Sequence, residues 1–126
     1  MNIAILDDYQ DMVRSFPCFG KLADHQVTIW NDHTKDIDIL AERLKNTEAL
    51  VLLRERTPIR KTLLERLPKL RMITQNGPYP HIDAEICTNR GILLCVGHAR
   101  TSYATAELTW GLIICAMRNI PQEVSR

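Results

Sequence analysis

Four short stretches combine polar side chains with turn-forming residues in ways that could support chemistry: "DDY" (Asp7–Tyr9), "RERT" (Arg54–Thr57), "QNGPYPH" (Gln75–His81) and "VGHARTS" (Val96–Ser102). Paired acids behind an apolar run suit a phosphate-accepting site, but that chemistry also needs an acceptor aspartate after the third strand and a lysine after the fifth. Arg54 stands where the acceptor would be, and no lysine follows Lys69. Asp7 and Asp8 are therefore read as solvating a loop and capping the helix behind it. Arg54 and Arg56 offer planar forks that match a small carboxylate. An ion pair with Glu55 or a neighbouring helix is the competing reading, and the residues alone favour it.

The third stretch is the stiffest. Asn76, Gly77 and Tyr79 can turn backbone N–H groups toward an anion in a nest-like arrangement. Pro78 and Pro80 have no N–H to give, but they fix the loop's shape and so lower the ordering cost of binding. A tight strand-to-helix connection with no ligand explains the same residues equally well. His81 reads as a surface or capping residue and Asp83 as the cap of a short helix behind it. In the fourth stretch His98 and Arg100 read as solvated, while Thr101 or Ser102 caps the last helix.

The elements that must hold these loops follow from the apolar pattern. "NIAIL", "QVTIW", "EALVLLR", "LRMIT" and "ILLC" are short runs of strand type. Between them lie an irregular helical stretch from about Asp11 to Leu22 interrupted by Pro17, and a helix started by Asp36 with Ile37, Leu40, Ala41 and Leu44 on one face. Next come a helix bounded by Thr57–Pro58 and Pro68, and a short helix from Asp83 to Gly91. A final helix runs from Thr101 or Ser102 to about Asn119 and stops before Pro121. Strands apolar on both faces that alternate with helices require a parallel, doubly wound sheet. The expected class is α/β, a flavodoxin-like five-stranded sheet in order 2-1-3-4-5 with helices on both faces and a long C-terminal helix. Ligands of such sheets sit at the carboxyl ends of the strands, where all four stretches fall.

Composition narrows the function classes. The 126 residues are 45% hydrophobic and carry a net charge of +1, with basic residues scattered, so neither a nucleic-acid stripe nor an anionic-membrane patch is expected. "MNIAILDDYQ" lacks a basic leader and signal-length apolar run, and "WGLIICAM" falls short of a membrane span. Cys18, Cys87, Cys95 and Cys115 show no metal or disulfide spacing and read as small buried hydrophobes of a cytoplasmic protein.

"ILDDYQD", "VLLRERTPI…LLERLPKLRMIT", "YPHIDAEICTNRGILLC" and "AELTWGLIICAMRNIP", in this order, resemble the D-isomer-specific 2-hydroxyacid dehydrogenases over Met1 to about Pro121. The resemblance is to their N-terminal substrate-binding domain. It implies residues 1–100 as that domain and 101–126 as an interdomain helix and the start of a linker. It further implies a small 2-keto or 2-hydroxy acid held by Asn76, Gly77 and Tyr79 with Arg54 as an added carboxylate contact, and Thr101 and Ser102 facing the cofactor. The family's NAD or NADP is bound, and the catalytic arginine, glutamate and histidine supplied, by a second domain. The glycines here, Gly20, Gly77, Gly91, Gly97 and Gly111, are all isolated, so no GxGxxG exists. No stable cofactor binding and no activity are expected of this chain alone. The alternative is a non-catalytic module binding a small carboxylate or a protein partner. Leu108, Trp110, Ile113, Ile114 and Met117 put apolar surface on several sides of the last helix, which predicts a homo-oligomer formed through it.

Overall fold

A computed structural model describes residues 1–97 and 103–125. Five strands, β1 (Asn2–Leu6), β2 (Gln26–Ile29), β3 (Ala49–Leu52), β4 (Met72–Asn76) and β5 (Leu93–Gly97), form one parallel sheet in the order β2-β1-β3-β4-β5. Successive side chains of a strand point to opposite faces, so each inner strand supplies two cores. From β1, Ala4 and Leu6 enter the larger core with Leu50 and Leu52 of β3 and Ile73 of β4. Ile3 and Ile5 enter the smaller one with Ala49.

The larger core is closed by three helices, α1 (Ile37–Leu44), α2 (Lys61–Leu64) and α3 (Ala84–Asn89), through Leu40, Leu44, Leu63, Leu64 and Cys87. The smaller is covered by two 3-10 turns, Val13–Ser15 and Pro17–Leu22, which place Val13, Phe19 and Leu22 against it. Pro17 falls inside the helix expected from Asp11 to Leu22. It has no N–H and begins a separate turn, so the stretch breaks in two.

The helix termini follow their punctuation in part. Asp36 caps α1, its carboxylate accepting from the N–H groups of Asp38 and Ile39. Gly91 takes φ +67° behind α3, with Ile92 N–H returned to the Cys87 carbonyl and Gly91 N–H to Thr88, a Schellman ending. Thr57, in contrast, does not cap α2; the helix starts four residues later. The α2 cap comes from another element, since Asp83 accepts from Lys61 N–H at 2.8 Å and from Arg60 at 2.8 Å. Asp83 therefore does not cap α3, as its position in sequence suggested.

α4 (Ala104–Met117) and α5 (Ile120–Val124) complete the described chain. Asn119 in the left-handed region at φ +49° separates them, and Pro121 sits in the first turn of α5, where its missing N–H is harmless. Helix thus resumes across Pro121 instead of stopping before it. No residue of α4 is buried; Leu108, Trp110, Leu112 and Met117 are each more than 60% exposed. Thr101 and Ser102, expected to cap this helix, lie outside the described residues.

Candidate functional site

Parallel register brings the first, third and fourth strand ends side by side, with Leu6 paired to Leu52 and Leu52 to Gln75. The residues that follow wall a cleft of about 600 Å³: Asp7–Gln10 after β1, Leu53–Arg56 after β3, and Asn76–Pro78 after β4. Three of the four stretches singled out by sequence thus share one surface. The fourth contributes only Val96 and Gly97 to the described residues.

Asp7 is the structural centre. It is 3% exposed and occupies the left-handed region at φ +62°. One carboxylate oxygen accepts from the Thr57 hydroxyl at 2.6 Å, the other meets His33 Nδ1 at 2.8 Å, and its carbonyl accepts from Arg56 at 2.5 Å. A buried carboxylate is tolerable only when hydrogen-bonded in this way. Asp7 is therefore no solvated loop residue, and Thr57 and Arg56 are its partners. Arg56 also lies over the Tyr9 ring, 4.3 Å from its centroid, and not in an ion pair with Glu55. Asp8 does cap a turn, accepting from the N–H groups of Met12 and Val13.

With both aspartates committed, Arg54 is left facing the cleft. It is exposed, holds φ +65°, and has no ion pair among the described residues. A left-handed arginine is strained, and such strain concentrates where a side chain must be aimed.

The loop after β4 is shaped from below. Gln75 is 1% exposed, and its Nε2 donates to the carbonyls of Asn76 and Pro78 at 3.4 and 3.3 Å. Gly77 adopts φ +103°, a region other residues rarely enter. Its N–H donates to the Gly97 carbonyl at 3.3 Å, a long bond that an incoming anion can share. Tyr79 N–H has no acceptor among the described residues, and the Tyr79 side chain stands half-exposed beyond the cleft wall. Asn76 and Gly97 are register partners, and a Cβ on Gly97 would lie 2.6 Å from Asn76 Oδ1. Here glycine supplies space for the neighbouring amide.

His81 is 7% exposed, with both ring nitrogens unpartnered, and so is neither a surface nor a capping residue. Burial pushes its pKa below the usual histidine value, Arg60 adds to this, and Glu55 opposes it. Cys87 is the buried thiol, and burial pushes its pKa up. Cys18 is exposed and Cys95 and Cys115 are half-buried, so only Cys87 acts as a core hydrophobe.

Sequence reading missed His33 and gave no role to Gln75 or Gly97, although both lie in stretches it singled out. Gln75 carried a signal, a large polar side chain in an otherwise buried strand. His33 carried none, since it meets Asp7 only through the β1–β2 adjacency. Among the described residues no cluster of three or more acids, histidines and cysteines could hold a metal. Among the described residues Gly77 and Gly97 are separate strand-end glycines, and no glycine-rich turn leads from a strand into a helix. With Arg54 and the backbone N–H groups of the loop after β4 beside it, the cleft can hold a small anion.

The model of the D-isomer specific 2-hydroxyacid dehydrogenase catalytic domain matches residues 3–123. A D-3-phosphoglycerate dehydrogenase of Methanocaldococcus jannaschii is 37% identical over 84 residues, 66% of this chain and 16% of that protein. A glyoxylate reductase of Thermococcus litoralis is 33% identical over 98 residues, 76% of this chain and 29% of that protein. Among solved structures, a phosphoglycerate oxidoreductase from Vibrio cholerae superposes with TM-score 0.84 at 48% identity, covering 96% of this chain and 38% of the other. A D-lactate dehydrogenase from Aquifex aeolicus, complexed with NAD and lactic acid, shares the fold at TM-score 0.73 and 22% identity. The chain spans well under half the length of each of these proteins.

Proposed function

Because this chain belongs to the D-isomer specific 2-hydroxyacid dehydrogenase family, we propose that it forms the substrate-binding half of such an enzyme and holds the carboxylate of a small 2-keto or 2-hydroxy acid. The supporting observation is the single cleft in which an exposed, left-handed Arg54 faces the Asn76–Pro78 loop. Arg54 supplies the charge and a fork for two oxygens. The loop supplies N–H donors, with Tyr79 N–H open and Gly77 N–H shared with Gly97. Gln75 holds the loop carbonyls inward, so the donors need little reordering on binding.

In a complete enzyme NAD or NADP bound to a second domain takes or gives the hydride. Without that domain's cofactor, the 126 residues alone are expected to bind substrate without turning it over. Residues 1–100 are the binding domain and 101–126 the connection toward its counterpart. Four free cysteines agree with a reducing cytoplasm. No described helix is long and apolar enough to cross a membrane.

α4 supports a homo-oligomer. Leu108 and Leu112 on one side of it, and Trp110 and Ile114 on the other, expose apolar surface that a second copy would bury. Light scattering at tens of micromolar is expected to give a dimer or larger species, and a clean monomer refutes this part. For the site, calorimetry with glyoxylate or pyruvate is expected to show millimolar binding weakened by Arg54→Ala, with no oxidation of added NADH. Turnover by the chain, or heat unchanged by Arg54→Ala, refutes the reading. Absence of keto-acid heat in a sample that still self-associates would favour a protein-binding module.

A further inference from the structure

A second cavity, of about 290 Å³, shares Arg56 and no other lining residue with the substrate cleft. One wall comes from the segment after β2, with His33, Thr34 and Lys35, and from Ile37 and Leu40 of α1. The other comes from Arg56–Pro58 and from Arg60, Thr62 and Leu63 around α2. Four nitrogen-bearing side chains and three threonines thus face one small space, and no carboxylate lines it.

The cations are not equally committed. Arg60 is paired with Asp83, and His33 gives its Nδ1 to Asp7, which leaves Nε2 as the ring's remaining polar atom. Lys35 and Arg56 have no ion pair with an acid among the described residues. Arg56 is nonetheless held rigidly, by the Asp7 carbonyl and the Tyr9 ring. Two cations without an acidic partner, beside an apolar wall of Ile37, Leu40 and Leu63, make a region of positive potential. The geometry points to a second binding site here, for a compact doubly charged anion such as a phosphate or a short dicarboxylate. Its volume is at the low end for ligand pockets, which excludes a nucleotide.

Arg56 is the only charged residue common to this cavity and the cleft. The two sites are otherwise walled by different residues, and Arg54 belongs to the cleft alone. That separation makes the proposal testable without relying on the keto-acid reading.

The test is an amide NMR titration of the full chain with sodium phosphate at constant ionic strength, repeated with sodium succinate. Saturable shifts are expected at Thr34, Lys35, Arg60, Lys61 and Thr62 with one shared Kd. Lys35→Gln is expected to weaken binding about three- to fivefold, as a partly exposed charge does. Arg54→Ala is expected to leave it unchanged. The dispersed spectrum of each variant verifies folding, and Lys35 is exposed and outside the core. Shifts that grow linearly without saturation, that centre on Tyr9 and Gly77, or that survive Lys35→Gln unaltered would overturn the site.

Discussion

Replacing Thr57 by valine removes one buried hydroxyl, the one bonded to Asp7 behind the cleft, and almost nothing else. Thr57 is 4% exposed and Asp7 3% exposed, so neither oxygen can turn to water when its partner is lost. Valine fills the same volume, and the effect is confined to the 2.6 Å bond from Thr57 to the Asp7 carboxylate. A hydrogen bond to a charged acceptor contributes about 1.5–3 kcal/mol, and His33 remains to hold the other oxygen, which favours the middle of that range. We expect a loss of about 2 kcal/mol in urea unfolding. Unfolding entropy scales with chain length, so for a domain of this size the melting temperature falls by about 7 °C. His33→Ala in the same background should cost more than it does alone, because Asp7 then loses both partners. A Thr57→Val variant within about 0.5 kcal/mol of the parent would show that the Thr57 bond does not hold Asp7 in place. The account of how the loop after β1 is fixed would then fail.

Gly97→Ala places a methyl group against Asn76 Oδ1 and must displace that side chain. Keto-acid affinity is expected to fall about fivefold, near 1 kcal/mol, while urea stability changes little; unchanged affinity would mean that Asn76 does not shape the site. His81 is held below the usual histidine pKa, so the unfolded chain takes up a proton near pH 6.5 that the folded chain resists. Its contribution to stability is complete above that pH and is lost progressively as pH falls toward the folded pKa. His81→Phe should flatten the slope of urea stability between about pH 7 and 5, and an unaltered slope assigns the acid sensitivity elsewhere.

The sheet was legible because its signal is local: "IAIL" and "ALVL" are apolar at every position, as suits a strand covered on both faces. Strand order followed from the handedness of the connections. The loops of the site were legible as places, since Gly77 and its prolines mark a turn at a strand end. Their partnerships were not. Asp7 meets Thr57 across 50 positions and His33 across 26, and nothing near any of the three in sequence reports the contact. Asp83 misled for a related reason: its position before α3 fits a cap, yet its carboxylate reaches α2, where Arg60 and Lys61 N–H offer two donors together. Helix ends were the other weak point. Pro121 can stop a helix or start one, and the left-handed Asn119 decides for the second.

The most direct test of the substrate-site assignment is a crystal structure of this chain with oxamate, an inert keto-acid mimic. We predict its carboxylate against the Arg54 guanidinium and within hydrogen-bonding distance of the Tyr79 or Gly77 N–H. Oxamate seated elsewhere, with Arg54 and the Asn76–Pro78 loop untouched, would contradict it.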